Sequence, residues 1–540
     1  MHYFNRILKI KLIEYPLILI IFYFQHSGLL YFANLSENVY FHKSIFIGGL
    51  SEFRFLFLLL TVLISLIFFK KFNISWDSID EKKPIKFLIM ITAGCLVWKY
   101  SMYDFNYYFN EAHYLDRIIV IILYLLLWMS PAFSYSLVVY LLIIVRQFEI
   151  PLGSFSYTDI MPLFHLLNLF VSFLIIKQFK RIDSNPFIIL AISLHAANYF
   201  IPAMAKLEIS PNFYEWFFYN NVSNLFVSGY INGWLTFLNE ETVISIATII
   251  KTFKIPLLII TFLVQFLSII VFFKERITIS LFIGFEALHI GIFLASGIFF
   301  WKWMLLNIGF IILVKKLSNQ TKRNLFTKQT LCLSIFLIIF SPFYFKPASL
   351  AWYDTKVNNI FEIQATDVNG KTHNLSRNFF SPYDKLFTQN RFAYILNKPI
   401  FTSTYGTVGN DKLLYSDKNF LTKNKKNRDL KDFDHFTKIE NSSSAKLEEI
   451  REIYGINHYS LKRSKMLEKF LKKYFTNYNK ADRSKKIFEY LGSPYHINSN
   501  YISQYENEDI KKIELIYKEL YYDGLKITIL NTKKIIEILL

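Results

Sequence analysis

Apolar stretches of membrane-spanning length recur through the first 345 residues of this 540-residue chain, and that recurrence, more than any motif, limits what it can fold into. Windows of about 15 to 25 residues, read as spans, fall near 12–33, 53–69, 85–101, 117–130, 132–147, 160–176, 186–206, 255–273, 277–299, 303–315 and 330–345. The expectation is a polytopic α-helical membrane protein of about nine to eleven spans. The pair flanking Met129, Ser130 and Pro131 reads either as two crossings or as one broken, re-entrant element. The first apolar run follows Arg6, Lys9 and Lys11 and shows no small-residue cleavage site, so it is expected to stay as an anchor.

With 53% hydrophobic and 19% charged residues, the chain does not read as a disordered, collagen-like or wholly soluble protein. Its two cysteines, Cys95 and Cys332, lie in apolar runs and build neither a disulfide framework nor a cysteine zinc site. A net charge of +19 would suit nucleic acid, but the basic residues cluster between spans, at 6–11, 70–86, 177–181, 274–276 and 315–328. The positive-inside rule makes those loops cytoplasmic and the lipid bilayer their partner, so no nucleic acid is expected. The amino terminus is then cytoplasmic, while loops 34–52, 102–116, 148–159 and 207–240 fall outside together with everything after residue 346. Loop 207–240 holds Phe213, Trp216, Phe217, Phe218, Tyr219 and Trp234, which read as a segment lying on the membrane surface.

A composition break between Pro342 and Pro347 divides the chain into a transmembrane domain, 1–345, and a soluble extracytoplasmic α+β domain, 346–540. Ile360 to Thr366 alternates as a strand, Asn369-Gly370 predicts a tight turn, and Lys371 to Ser376 can return as its partner. Leu461, Met466, Phe470, Tyr474 and Ile487 have helical spacing, and Ile513–Tyr522, Asp523-Gly524 and Leu525–Leu530 predict a closing hairpin. The basic stretch from Lys423 to Lys431 reads as a solvated loop.

Ionisable groups inside spans are the candidates for chemistry, because each is costly there. At 100° per residue, Tyr199 lies about 40° around a helix from His195, and Lys206 returns to within about 20° of it. One stripe therefore holds His195, Tyr199 and Lys206, and Pro202 is expected to bend the helix and free the Asn198 carbonyl toward a cavity. A partly desolvated Lys206 is a candidate general base; alternatively it snorkels from a helix end. Glu286 and His289, at i, i+3, form a second polar group in which the carboxylate can orient the imidazole. No metal is expected there, because neighbouring spans offer no matching Glu and His set. His165 with Asn168, and His26 with Gln25, read as packing hydrogen bonds. Asp104, Asn106, Glu111, His113, Asp116 and Arg117 form either an ion-paired rim or, for the last two, an interfacial cap. No phosphate-binding loop, nucleophile elbow, zinc-protease helix or dinucleotide fingerprint occurs.

The stretch around Asn198-Tyr199-Phe200 and Ala205-Lys206-Leu207 resembles a helix of the vitamin K-dependent γ-carboxylase superfamily, whose bacterial members are called horizontally transferred transmembrane (HTTM) proteins. Glu52-Phe53-Arg54-Phe55-Leu56-Phe57, the span carrying Phe285-Glu286-Ala287-Leu288-His289, and a β-rich tail are similar too. The Trp-Asn-Asn-His motif of the carboxylases is absent. The resemblance implies an integral membrane enzyme in which Lys206 deprotonates reduced vitamin K or another quinol, for carboxylation-type modification of a peptide or protein. Lys206, His195 and Tyr199 would then be catalytic, with Asn198, Glu286 and His289 on the quinol. Two other readings fit the spans: a transporter, export or immunity factor without catalysis, and a lipid-linked sugar or acyl transferase.

Overall fold

Helices occupy every apolar window of the sequence. In the computed structural model, which describes residues 13–103, 105–153, 160–208, 212–375, 377–380, 383, 386–387, 390–401, 437–483 and 508–540, they begin with α1 (Glu14–Phe32), α2 (Phe53–Lys71), α3 (Lys82–Ser101), α4 (Tyr114–Met129) and α5 (Ser134–Arg146). There follow α6 (Met161–Phe179), α7 (Asn185–Glu208), α8 (Val222–Ile231), α9 (Glu240–Thr252), α10 (Lys254–Phe266), α11 (Glu275–Ser296), α12 (Trp301–Lys316) and α13 (Lys328–Ile339). Arg6, Lys9, Lys11, Asp104, Asp159, Ile487 and the 423–431 stretch lie outside the described residues.

Among the described residues five helices, α1, α2, α6, α7 and α11, are long and apolar enough to cross a membrane, or six if α9 and the helix from Lys254 to Ile270, bent by 67° at their junction, count as one. That is fewer than the nine to eleven spans expected, and the shortfall lies in length rather than helicity. Helices α4, α5, α10, α12 and α13 have 12 to 16 residues. Each is about 18–24 Å long, against a hydrocarbon core of about 30 Å. Helix α3 has 20 residues but carries Lys82, Lys83, Lys86 and Lys99. Around Met129-Ser130-Pro131 the chain makes a short 3-10 turn, with the Ser130 hydroxyl accepting from the Ala132 amide, and then enters α5.

The bundle is layered. Helices α6 and α7 are enclosed, with 78% and 83% of their apolar windows buried, whereas α1, α2 and α11 are 22%, 17% and 28% buried and form the perimeter. The perimeter turns large apolar side chains outward, among them Phe24, Leu60, Ile67, Leu125, Ile283 and Leu294. A belt of that kind is stable against hydrocarbon and costly in water.

The two ends of the bundle differ. At one end Glu81 accepts from Ser318 and Thr321, Ser184 bonds the Asp80 carbonyl, Lys322 pairs with Glu275 and Lys180 with Glu14, so the basic loops gather on one face. At the other, all four loops assigned to the opposite side meet the tail. Lys473 lies 3.9 Å from Glu37, Asn477 bonds the Tyr107 carbonyl, Tyr383 packs on Phe148, and Asn221 and Asn224 bond Glu440.

Among its described residues the tail holds a four-stranded antiparallel sheet packed against helices. Strands β1 (Val357–Asp367), β2 (Thr372–Asn374), β3 (Ile510–Tyr522) and β4 (Ile527–Leu539) lie in the order β2-β1-β3-β4. Both predicted hairpins form. Gly370 takes φ +84° in the first turn and Gly524 φ +102° in the second, a region open to glycine. The central pair registers Ile363 opposite Leu515, and α15 (Leu461–Lys480), preceded by α14 (Ser444–Tyr454), lays Phe470, Leu471, Tyr474 and Phe475 into the core.

Candidate functional site

Because α7 is enclosed, its polar residues cannot reach water and must find partners inside the bundle. His195 donates from Nε2 to Oδ1 of Asn307 on α12 at 2.5 Å, and the Tyr199 hydroxyl donates to the same oxygen at 3.1 Å. The Tyr199 ring stacks on Phe285 of α11, centroids 3.6 Å apart. Lys206, two turns further on, is 4% exposed. Its Nζ lies 3.2 Å from the Pro202 carbonyl, 3.4 Å from the Leu350 carbonyl and 5.2 Å from the centre of the Trp216 ring. None of these partners is anionic. Lys206 therefore does not snorkel to solvent.

Lys206 and Tyr199 face a cavity of about 480 Å³ enclosed by α7, α8, α10, α11 and the segment 348–354. Asn198, Pro202 and His289 also line it. The room comes from α11, which presents Gly284, Ala287, Leu288, Gly291 and Ala295 along one face; a Cβ added at Gly291 would meet nothing within 4 Å. Leu258, Val264 and Ile292 complete an apolar flank. Among the described residues, Nδ1 of His289, Nε1 of Trp303 and Oε1 of Gln265, all buried atoms of wall residues, have no hydrogen-bond partner. Buried polar atoms of this kind are expensive unless something completes them.

The tail closes the outer end. Trp216 Nε1 donates to the Trp352 carbonyl at 3.1 Å, and the Asp354 amide donates to Oδ1 of Asn220 at 3.0 Å. Asp354 and Arg391 stand at the cavity wall there. Burial holds the Asp354 carboxyl well above its ordinary value; the Trp352 indole opposes this and the neighbouring Glu440 adds to it. Burial also raises Glu440, against Lys356 and the Asn221 and Asn224 amides.

Of the six residues singled out in the sequence, Lys206, Tyr199, Asn198 and His289 share the cavity wall, whereas His195 sits beside Tyr199, outside the lining. The Asn198 amide is engaged with the Leu194 carbonyl at 2.8 Å, and Pro202 lies inside the single continuous helix α7. The expected orientation of His289 by Glu286 is not found. Among the described residues Oε1 of Glu286 has no hydrogen-bond partner, and His289 stacks on Phe300. The i, i+3 spacing puts both on one side of α11 without joining the side chains. Sequence reasoning missed Asn307, Gln265 and Trp303, although each is a polar-tipped residue inside an apolar window. It also missed Asp354 and Arg391, which nothing local in the tail distinguishes.

The other polar groups are structural. His26, Gln25, His165, Asn168 and Ser172 bond one another between α1 and α6, as expected, with His165 Nε2 3.3 Å from His26 Nε2. In the charged segment leading into α4, Nδ1 of His113 lies 3.4 Å from Oδ2 of Asp116, and Asp116 and Arg117 stand in the first turn of the helix, buried rather than at an interface. Asp116 is fully buried and accepts from Ser44, from the Ile45 and Phe46 amides and from Tyr140, tying loop 34–52 to the bundle; Arg117 bonds the Tyr103 carbonyl and lies on its ring. In the aromatic loop, Trp216 is buried against the cavity while Phe213 and Phe218 are exposed, so only part of that segment presents a surface-seeking face. Among the described residues no three of His, Cys, Asp and Glu converge. No protein-family model matches the chain, and no curated protein or solved structure matches it either.

Proposed function

We propose that the helical bundle is membrane-embedded, with a cytoplasmic amino terminus and an extracytoplasmic tail, and that its cavity binds an amphiphilic quinol on which Lys206 acts as base. The observation that carries this reading is a lysine amine buried in the wall of an apolar cavity, held by two carbonyl oxygens and an indole, with no anionic group among the described residues bound to it. The resemblance to the HTTM or vitamin K-dependent γ-carboxylase superfamily supplies the class of chemistry: reduced vitamin K or another quinol as cofactor, and a peptide or protein as the molecule modified.

The residues present suit such a group. His289, Trp303 and Gln265 bring polar side chains of the kind that would hold ring hydroxyls to the cavity wall, and the small-residue face of α11 suits an isoprenoid tail. When bound, a reduced quinol supplies an acidic hydroxyl and, with oxygen, the strong base that a carboxylation-type reaction needs. With such a group bound, Nζ of Lys206 would take the hydroxyl proton, and the Pro202 and Leu350 carbonyls with the Trp216 ring would hold the ammonium. Asn307 keeps Tyr199 and His195 in place behind the cavity. Asp354 and Arg391, brought by the tail, stand where a peptide would arrive from outside.

The test is quinol turnover in membranes containing the protein, supplied with reduced vitamin K or menaquinol and oxygen, with the epoxide followed by mass spectrometry. Epoxide that disappears in Lys206→Ala, at equal amounts of folded protein, is expected. Epoxide formed equally by that variant, or by neither protein, would remove the base role.

A further inference from the structure

A second concavity, which shares no lining residue with the Lys206 cavity, lies on the outside of the bundle between α3, α4 and α12. It has a volume of about 530 Å³ and a strongly divided lining. Lys82, Lys83 and Lys86 stand at one end, and Met90, Gly94, Trp98, Tyr124, Trp128 and Trp301 continue from there as an apolar, aromatic trough. The basic end belongs to the same face of the bundle as Glu81, Ser318 and Lys322, opposite the tail.

The three lysines are not equivalent. Lys82 pairs with Asp77 at 2.5 Å, so its charge is compensated. Lys86 has its ammonium 5.6 Å from the Trp76 ring and 5.0 Å from the Trp128 ring, and Lys83 is exposed. Two positive charges thus face the trough at its mouth. Below them the lining residues are open to the perimeter, Phe87 at 39%, Trp98 at 40% and Trp128 at 55% exposure, so the trough opens sideways rather than into the bundle. Its depth depends on Gly94. A Cβ there would stand 3.0 Å from the Tyr124 hydroxyl, which is itself bonded to the Met90 carbonyl. From Lys86 to Trp98 the helix advances about 18 Å, close to the thickness of one leaflet, about half of a 30 Å core.

We infer that this trough is a binding site for an anionic phospholipid of the bilayer, its phosphate between Lys83 and Lys86 and one acyl chain laid over Gly94 toward Trp98. Charge complementarity selects the headgroup, and the groove's length and sideways opening select a lipid over a soluble anion. A zwitterionic lipid fills the trough equally well but gains nothing from the lysines. The site rests on the membrane-embedded reading of the helices and is independent of any chemistry at Lys206.

The experiment is native mass spectrometry of the full-length protein released from vesicles of equal parts phosphatidylglycerol and phosphatidylcholine. Retention of phosphatidylglycerol over phosphatidylcholine by about five-fold or more is expected, the preference that roughly one lysine's worth of attraction supplies. The Lys83→Gln/Lys86→Gln variant should bring the ratio near one. Gly94→Leu, which fills the trough and leaves every lysine in place, should lower retained phosphatidylglycerol several-fold. Equal retention of both lipids by the unaltered protein would overturn the site. So would a preference that survives both variants, or displacement of the lipid by millimolar inorganic phosphate.

Discussion

Nε2 of His195 lies 2.5 Å from Oδ1 of Asn307, a bond between α7 and α12 that joins residues 112 positions apart. The same oxygen accepts the Tyr199 hydroxyl, so one carboxamide orients two polar side chains of an enclosed helix. Asn307→Leu strands both donors without water to replace it. The expected loss is about 1–3 kcal/mol, measured as a lower Tm of the detergent-solubilised protein. An unchanged Tm would show that the shared oxygen contributes nothing net.

Gly291 separates binding from folding. Nothing lies within 4 Å of a Cβ built there, and the position is in mid-helix, where leucine is favoured over glycine by up to about 1 kcal/mol. Gly291→Leu should therefore fold at least as well as the parent while occupying cavity space. Quinol binding, followed by quenching of tryptophan fluorescence, is expected to weaken by tenfold or more, about 1.4 kcal/mol. Undiminished binding would place the quinol elsewhere.

Lys206→Met tests whether the lysine is kept for chemistry or for the fold. Methionine keeps most of the stem and gives up two amine–carbonyl bonds and the contact with Trp216. With no anion left stranded, stability should change by less than about 1 kcal/mol, while quinol turnover should fall by 100-fold or more, the usual size of a lost general base. A large drop in Tm with turnover retained would make Lys206 a structural residue.

Asp354 should impose a pH dependence on stability. Burial raises its folded pKa above the ordinary 3.8, so the folded protein binds more protons than the unfolded chain at pH values above 3.8. The stability tied to that proton is complete below 3.8 and is lost as pH rises through the folded value. Asp354→Asn keeps an acceptor for the Trp352 indole and abolishes the titration. Its Tm advantage over the parent should grow with pH across this range; parallel curves would mean that the carboxyl titrates alike in both states.

In the tail, Nη1 and Nη2 of Arg451 donate to the two oxygens of Glu519 at 2.8 and 2.9 Å, and Glu519 is fully buried in β3. Arg451→Met leaves that carboxylate unpaired, at a cost of about 3–5 kcal/mol, while Arg451→Met/Glu519→Leu should recover most of it. Limited proteolysis of the full chain reads both. Equal susceptibility of the single and double variants would show that the charge pair is not what holds α14 to the sheet.

Local pattern alone determined where the apolar-window helices and the two hairpins are, whereas α8, α9 and α14 lie outside every predicted segment. Apolar windows became helices because an unbroken apolar segment must satisfy its own backbone, and Asn369-Gly370 and Asp523-Gly524 became turns because glycine reaches the positive φ they need. The helical stripe likewise carried Tyr199 and Lys206 to one wall, since seven residues complete nearly two turns. Other features were decided only by the packing of distant elements. Whether a window is long enough to cross depends on where neighbouring helices and loops end it, as the 12 residues of α13 show. His195 and Tyr199 found a common acceptor in Asn307 because α12 packs against α7, a partner that helical spacing on α7 does not reveal. Asp354 reached the cavity because the sheet anchors segment 348–354 over α7, and Asp116 became a buried clasp because loop 34–52 folds onto it. A residue's periodicity fixes which side of its own element it occupies; the partner on that side belongs to another part of the chain, and only tertiary structure brings it there.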